Sequence, residues 1–434
     1  MISGGRSSIV QCTLMFETRL AIGALFALIA TTAWPQGSPE GPEFRVNTYT
    51  VGDQSHPSIS DDNGFIVVWT SAGQDGSGDG VFGQMYFDST PLGPEFRVNS
   101  YTTNAQRSPA VGGSGGGLMV VWTSDGQDGS SLGIFAQRYA AGGAVGPEFQ
   151  INTYTSGVQS YPAVAYANFG GVFVVVWQSF LQDGSGYGIY GQRYASSGTP
   201  LGPEFRVNSF TTGNQHSPAV AAETTGDGAF AVVWTGENQD GSGDGIFGQR
   251  YSSSGAPLGD EFRVNSYTTN DQVSPRMSPG GQGGISTVVW MSDGQDGSGW
   301  GIFGRALFLN EGFLGQEFQV NSYTTGSQSF PAAAAAGPGY RVIVWQSDAQ
   351  DGSGTGIYGQ RYAGSGGRMS GPEFRVNTYT SGDQARPSVT AEGTTSQFRI
   401  VWDGPAEDGT PGLEVYGQRF GPIFPVELID VSVE

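Results

Sequence analysis

Three observations predict an all-β fold built as a seven-bladed β-propeller. One unit recurs seven times, at "EFRVN"-type segments starting at Glu43, Glu95, Glu148, Glu204, Glu261, Glu317 and Glu373, spaced 52 to 57 residues apart. Each unit contains four short apolar or aromatic runs punctuated by glycine or proline. No run has helical periodicity. Four antiparallel strands per unit of roughly 50 residues fit radial blades. Tandem immunoglobulin-like sandwiches need about 100 residues each and do not fit.

In each unit "EFRVN" alternates, with Phe44 and Val46 on one side and Glu43, Arg45 and Asn47 on the other, as in a half-buried strand. A small-residue run of the "PAVA" type follows a recurring Gln and suits the crowded axis. "FVVVW", as at 173–177, is apolar throughout and should be covered on both faces. Its terminal Trp is expected to pack between blades. "GIYGQRY" is a fourth, aromatic strand. The radial order from the axis is then PAVA, FVVVW, IYGQRY, with the next unit's EFRVN outermost. This offset leaves the first segment, 43–47, without a preceding blade. It is expected to pair with the last blade, ending at Phe420, and so close the ring without an open sheet edge.

The chain has 434 residues, with 72 Gly, 12% aromatic and 37% hydrophobic residues. An acidic disordered tail would lack the aromatics. All 19 basic residues are arginine and the formal net charge is −20. That charge argues against nucleic acid and anionic membrane as partners, and suits solubility and attraction for cations. Residues 1–33 read as an export signal, with Met15 as an alternative start and an apolar run from Leu20 to Ala30 too short to span a bilayer comfortably. The single cysteine, Cys12, precedes that run and would be lost on cleavage. Residues 34–42 form a linker, 43–420 the propeller and 421–434 a tail. The expectation is a secreted, periplasmic or surface-located monomer without membrane insertion.

The phrase "QDGSGxG" joins the second and third strands, and "NTYTTGxQ" joins one blade to the next. Antiparallel topology brings both to one face, which would carry any site. The repeated Asp of the phrase (Asp75, Asp128, Asp183, Asp240, Asp296, Asp351 and Asp408) has two readings. It could ligate calcium through hard oxygens, with glycine turning backbone carbonyls inward. It could equally hold an Asx-type turn, since most copies offer one carboxylate where a self-sufficient loop offers several. The recurring Gln, including Gln54 and Gln215, could bind ligand from this face or satisfy backbone groups between blades. Trp300 and Tyr187 replace the usual small or acidic residue after "DGSG" and are candidate ligand-stacking aromatics. A cross-strand pair of Arg193 with Glu204 is expected across the outer hairpin.

The phrase "QDGSGxGIYGQRYxxxGxxxGPEFRVNTYT" resembles a repeat of bacterial exported and surface proteins, and the match runs from Glu43 to Phe420. That resemblance implies a bacterial source and secretion and supplies no activity. The Asp loop is also similar to the structural Asp-box turns of sialidase-type propellers, though without their aromatic at the expected spacing, and less so to integrin-type calcium loops.

Catalysis needs a unique constellation, which repeated motifs do not supply. The two histidines, His56 and His216, read as turn substitutions near the inner-strand Pro. Acids that break the symmetry, Glu237, Asp244, Asp403, Glu407 and Glu414, are the candidates for two-carboxylate glycosidase chemistry. The favoured expectation is a non-enzymatic binding or adhesion propeller for carbohydrate or a cell-surface partner. A glycan-active enzyme and a structural scaffold are the alternatives.

Overall fold

The computed structural model describes residues 38–421, apart from 62–63, 114–116, 141–142, 337–339, 364–367 and 393–396. The export signal, Cys12, Met15 and the tail beyond Gly421 lie outside the described residues.

The architecture is a seven-bladed β-propeller of antiparallel sheets. Blade 4 is typical. Its strands run outward from the axis as Gln215–Ala222, Phe230–Glu237, Asp244–Tyr251 and Phe262–Arg263. The last blade is Ala385–Ala391, Phe398–Pro405 and Leu413–Phe420, with Phe44–Arg45 as its outer strand. Phe44 pairs with Gly417 and Arg45 with Tyr416, so the N-terminal segment closes the ring as expected. The closure also reaches into the linker, because Pro39 bridges Phe420 and the Glu40 N–H donates to the Arg419 carbonyl at 2.8 Å.

The core is a series of interblade sandwiches. All seven Trp side chains ending the second strands are fully buried. Trp234 of blade 4 packs with Val174, Val176 and Ile189 of blade 3, and Trp69 of blade 1 packs with Val401 and Val415 of blade 7. The core is therefore continuous across the seam. Tyr rings of the third strands stack on Phe of the second, as Phe230 on Tyr251 at 4.8 Å.

The Asp loop of each blade touches the crossover of the next, which puts both on one face. The Gly213 N–H donates to Ser185 Oγ at 3.3 Å and the Tyr187 N–H to Asn214 Oδ1 at 3.1 Å. We call this the mouth face.

Candidate functional site

Most of the repeated polar residues on the mouth face are consumed in joining blades. At the junction of blades 3 and 4, Asp183 Oδ1 accepts the Ser185 N–H at 3.2 Å and Oδ2 accepts from Asn208 Nδ2 at 3.2 Å. Asn208 also donates to the Phe210 carbonyl and to Gln215 Oε1, and its Oδ1 accepts the Ile189 N–H at 2.7 Å. Gln215 in turn donates to the Thr212 carbonyl. The Asp–Asn contact recurs at Asp75, Asp128, Asp240 and Asp296, at 3.1 to 3.4 Å. Asp351 makes the turn bond to the Ser353 N–H.

These carboxylates therefore face N–H donors, the arrangement of an Asx-type turn. A cation would have to displace those donors, since both kinds of group compete for the same lone pairs. Among the described residues, no three His, Cys, Asp or Glu side chains converge as a metal cluster. The expected outcome of adding EDTA is an unchanged melting temperature, read by circular dichroism. A fall of several degrees would assign the loops to calcium.

Blade 7 departs from the pattern. In the other blades a glycine opens the third strand beside the Asp; a Cβ at Gly188 would lie 2.5 Å from Asp183 Oδ2. Glu414 occupies that position in blade 7. Its carboxylate accepts from Asn47 Nδ2, while Asp408 turns out into solvent and holds Thr410. Glu414 substitutes for the displaced Asp.

The expected Arg193–Glu204 pair does not form. Glu204 Oε2 accepts the Thr153 N–H at 2.7 Å and its hydroxyl at 2.9 Å, and Oε1 accepts from Gln182 Nε2 at 2.5 Å. Arg193 reaches the next blade's hairpin and donates to the Ser253 carbonyl at 2.8 Å. The carboxylate finds unpaired backbone donors nearer than the guanidinium. The clasp recurs round the ring and ends with Glu43, which accepts the Thr378 N–H at 2.7 Å. In blade 7 the clasp Gln is replaced by Glu407. Burial, then the neighbouring Glu43 carboxylate, raises its pKa.

Gln54 and Gln215 have no exposed surface in this state, and their amides serve crossover carbonyls. The buried crossover carbonyls need their amide donors. Glu237 is likewise absorbed, accepting from the backbone and side-chain amides of Asn214 at 3.0 and 2.7 Å.

What remains is the rim of the central channel. Each inner strand bulges just before its Pro, and the bulge residue has positive φ: His56, Ser108, Tyr161, Ser217, Ser274, Phe330 and Arg386, at 50 to 56°. Non-glycine residues rarely adopt this conformation, and bulges re-aim side chains. Five of the bulge N–H groups donate to the residue after the Trp in the preceding blade: Thr70, Gln178, Thr235, Gln346 and, for His56, Asp403 at 2.9 Å. The sequence carries a signal for this. Gln and Pro stay constant while the residue before Pro changes from His to Ser, Tyr, Phe and Arg.

Over blades 1 to 3 the rim opens into a cleft of about 520 Å³, lined by Asp53, His56, Asp79, Arg107, Tyr161 and Tyr187 among others. Tyr161 is 59% exposed. The Tyr187 ring lies 5.1 Å from Phe180, which is itself partly open. Blade 3 thus has aromatics at both positions, where blade 5 has only Trp300 and blade 6 only Phe330. Trp300, half-buried on blade 5, does not line the cleft. On blade 4, His216 Nε2 lies 3.7 Å from Asp244 Oδ2.

The seam between blades 7 and 1 holds the most perturbed pair. Asp403 is fully buried; its Oδ2 accepts from Arg386 Nε at 2.7 Å and its Oδ1 has no partner. Burial raises its pKa to about 6 despite Arg386. Crowding by the surrounding protein and then the Arg386 charge lower His56 to about 4, although its rim side stays exposed. The two act with opposite sign on stability. Folded Asp403 binds its proton more tightly than the unfolded chain, so its contribution is full below pH 3.8 and is lost as pH rises to about 6. Folded His56 binds its proton less tightly, so its contribution is full above 6.5 and is lost as pH falls towards 4. Single variants should unmask each slope. Asp403→Thr, using the residue of three other blades, should lose stability relative to wild type as pH falls from 6.5 to 4. His56→Ser should gain it over the same range, by roughly 3 kcal/mol at most from the uncovered Asp403 term. Urea midpoints measured across that range check both signs.

The fold and the rim define a class: a closed seven-bladed propeller whose strained inner bulges present unlike side chains around one channel mouth. No protein-family model matches the chain, and no curated protein matches it in sequence. Solved structures that resemble it include the polysaccharide lyase Uly1, at TM-score 0.49 and 10% identity over 90% of this chain and 95% of that one. Phage phi92 endosialidase gives 0.48 and 9% over 92% and 71%. Endo-arabinase from Bacteroides thetaiotaomicron gives 0.38 and 14% over 63% and 100%. At these values the likeness carries nothing about activity. Among the described residues no helix is long and apolar enough to cross a membrane.

Proposed function

We propose that the protein is an exported bacterial binding propeller that holds carbohydrate, on a polymer or a cell surface, at the mouth face without turning it over. The observation that carries this reading is the aromatic lining blade 3 gives the cleft, exposed Tyr161 and also Tyr187, whose ring packs on Phe180, together with Arg107 and Asp79. Sugars bind such sites by stacking an apolar ring face and exchanging paired hydrogen bonds at the edge. The export reading rests on the leader-like N-terminus and the repeat's resemblance to exported proteins.

The test is a glycan array with the purified chain, followed by titration of the best ligand. Tyr161→Ala should weaken binding at least tenfold, about 1.4 kcal/mol, with an unchanged melting temperature. An array with no binding would leave a scaffold or a protein partner.

A second reading, a glycan-active enzyme, is favoured by one observation. Asp79 lines the cleft, keeps open surface and has its pKa raised by burial; a general acid needs a raised pKa. Release of reducing ends from the bound glycan, abolished by Asp79→Asn, would support it.

A further inference from the structure

The inner strands adjoin one another around the axis. The position after the inner-strand Pro is serine in two blades, Ser58 and Ser388, and alanine in four, Ala110, Ala163, Ala219 and Ala332. In blade 5 it is Arg276. A long cation thus stands where every other blade has a small neutral side chain.

Its surroundings leave its charge unanswered. Arg276 Nη1 donates to the Pro275 carbonyl at 2.9 Å, on its own strand. Among the described residues it forms no ion pair with a carboxylate. It sits on the innermost strand of blade 5 with its side chain exposed, and the titratable group acting on it is Tyr161 of blade 3. Protein crowds it and lowers its pKa, yet the residue keeps surface open to water. Arginine stays charged at any physiological pH. An exposed cation lacking a counter-charge gains from an anion that can reach it. The open surface supplies the route, and Tyr161, whose charge acts on Arg276, lines the mouth cleft.

We propose that the channel throat is an anion-binding site, in which Arg276 takes one oxyanion group, a carboxylate or sulfate, of a ligand seated at the mouth. The inference rests on the mouth being the binding face and adds the charge of what it binds. An acidic saccharide is the source that fits the Tyr161 platform, and a free oxyanion shares the chemistry. In a chain of net charge −20, the pairing is local: surface charges are largely screened beyond about 8 Å at physiological salt, whereas the guanidinium meets its ligand directly.

The test is calorimetric titration of the whole chain at physiological ionic strength with three probes. They are a uronate-bearing oligosaccharide, its carboxyl-reduced neutral counterpart, and sodium sulfate. The variants are Arg276→Ala, which installs the residue of four other blades and should fold, and Arg276→Lys. Wild type should bind the uronate at least tenfold more tightly than the neutral sugar. Arg276→Ala should erase that difference and Arg276→Lys should keep part of it. If both sugars bind wild type alike and Arg276→Ala binds as well, the anion site is overturned and the carbohydrate reading stands. If sulfate alone binds, and only with Arg276 present, the anion site stands and the carbohydrate reading falls. Binding of none of the three overturns both.

Discussion

Trp234→Ala is expected to lower the unfolding free energy by about 3–5 kcal/mol, the range for removing a large aromatic from a packed core. The side chain is fully buried between blades 3 and 4, against Val174, Val176, Ile189 and Val207. Its loss leaves a cavity between two sheets that are each held by hydrogen bonds and cannot collapse into it. Trp234→Phe separates packing from polarity. The indole N–H of Trp234 has no partner, so Phe removes no hydrogen bond there. The indole of Trp69 donates to Gln54 Oε1 at 3.2 Å. Trp69→Phe should therefore cost roughly 1 kcal/mol more than Trp234→Phe. Urea denaturation of the four proteins measures all of this, and equal costs for the two Phe variants would refute the assignment.

The second large effect is expected at the seam. Asn47→Ala should cost on the order of 3 kcal/mol, because it strands several buried groups at once. Asn47 Oδ1 accepts the Val415 N–H at 2.8 Å, and its amide serves the Tyr49 carbonyl and the Glu414 carboxylate. Glu414 is 1% exposed, so water cannot take over. Its pKa is raised by burial, with Asn47 pulling the other way. Losing Asn47 removes that support for the ionised form, so the cost should grow as pH rises above the carboxylate range. Glu414→Gln on the Asn47→Ala background should recover part of the loss at pH 7. The matching change in blade 4, Asn265→Ala, strands the Ile246 N–H but no replacement carboxylate of this kind, and should show a weaker pH dependence. A flat pH response for Asn47→Ala would sink the role given to Glu414.

Both effects concern joints between blades, and the joints were the part of the sequence most easily misread. Asp, Asn, Gln and Glu recur in every unit, which made Gln54 and Gln215 candidates for ligands and the Asp series candidates for a cation. Recurrence is also what seven identical joints require. Gln54 is buried, Asp183 faces N–H donors, and Glu204 holds a backbone amide where an ion pair with Arg193 was expected. A side chain's residue type states what it can bond; which neighbour it reaches depends on the next blade's distance.

The number of blades, the radial order of strands, the closing segment at Glu43 and the sharing of one face by two loop families all follow from spacing and alternation. They are legible because those features depend on local strand chemistry and on the antiparallel rule, which hold within one unit. The bulge that turns His56, Tyr161 and Arg386 onto the rim, the burial that moves Asp403, and the exposure of Arg276 on an innermost strand arise only when seven units surround one axis. They are sums over several blades, at distances that no single unit encodes.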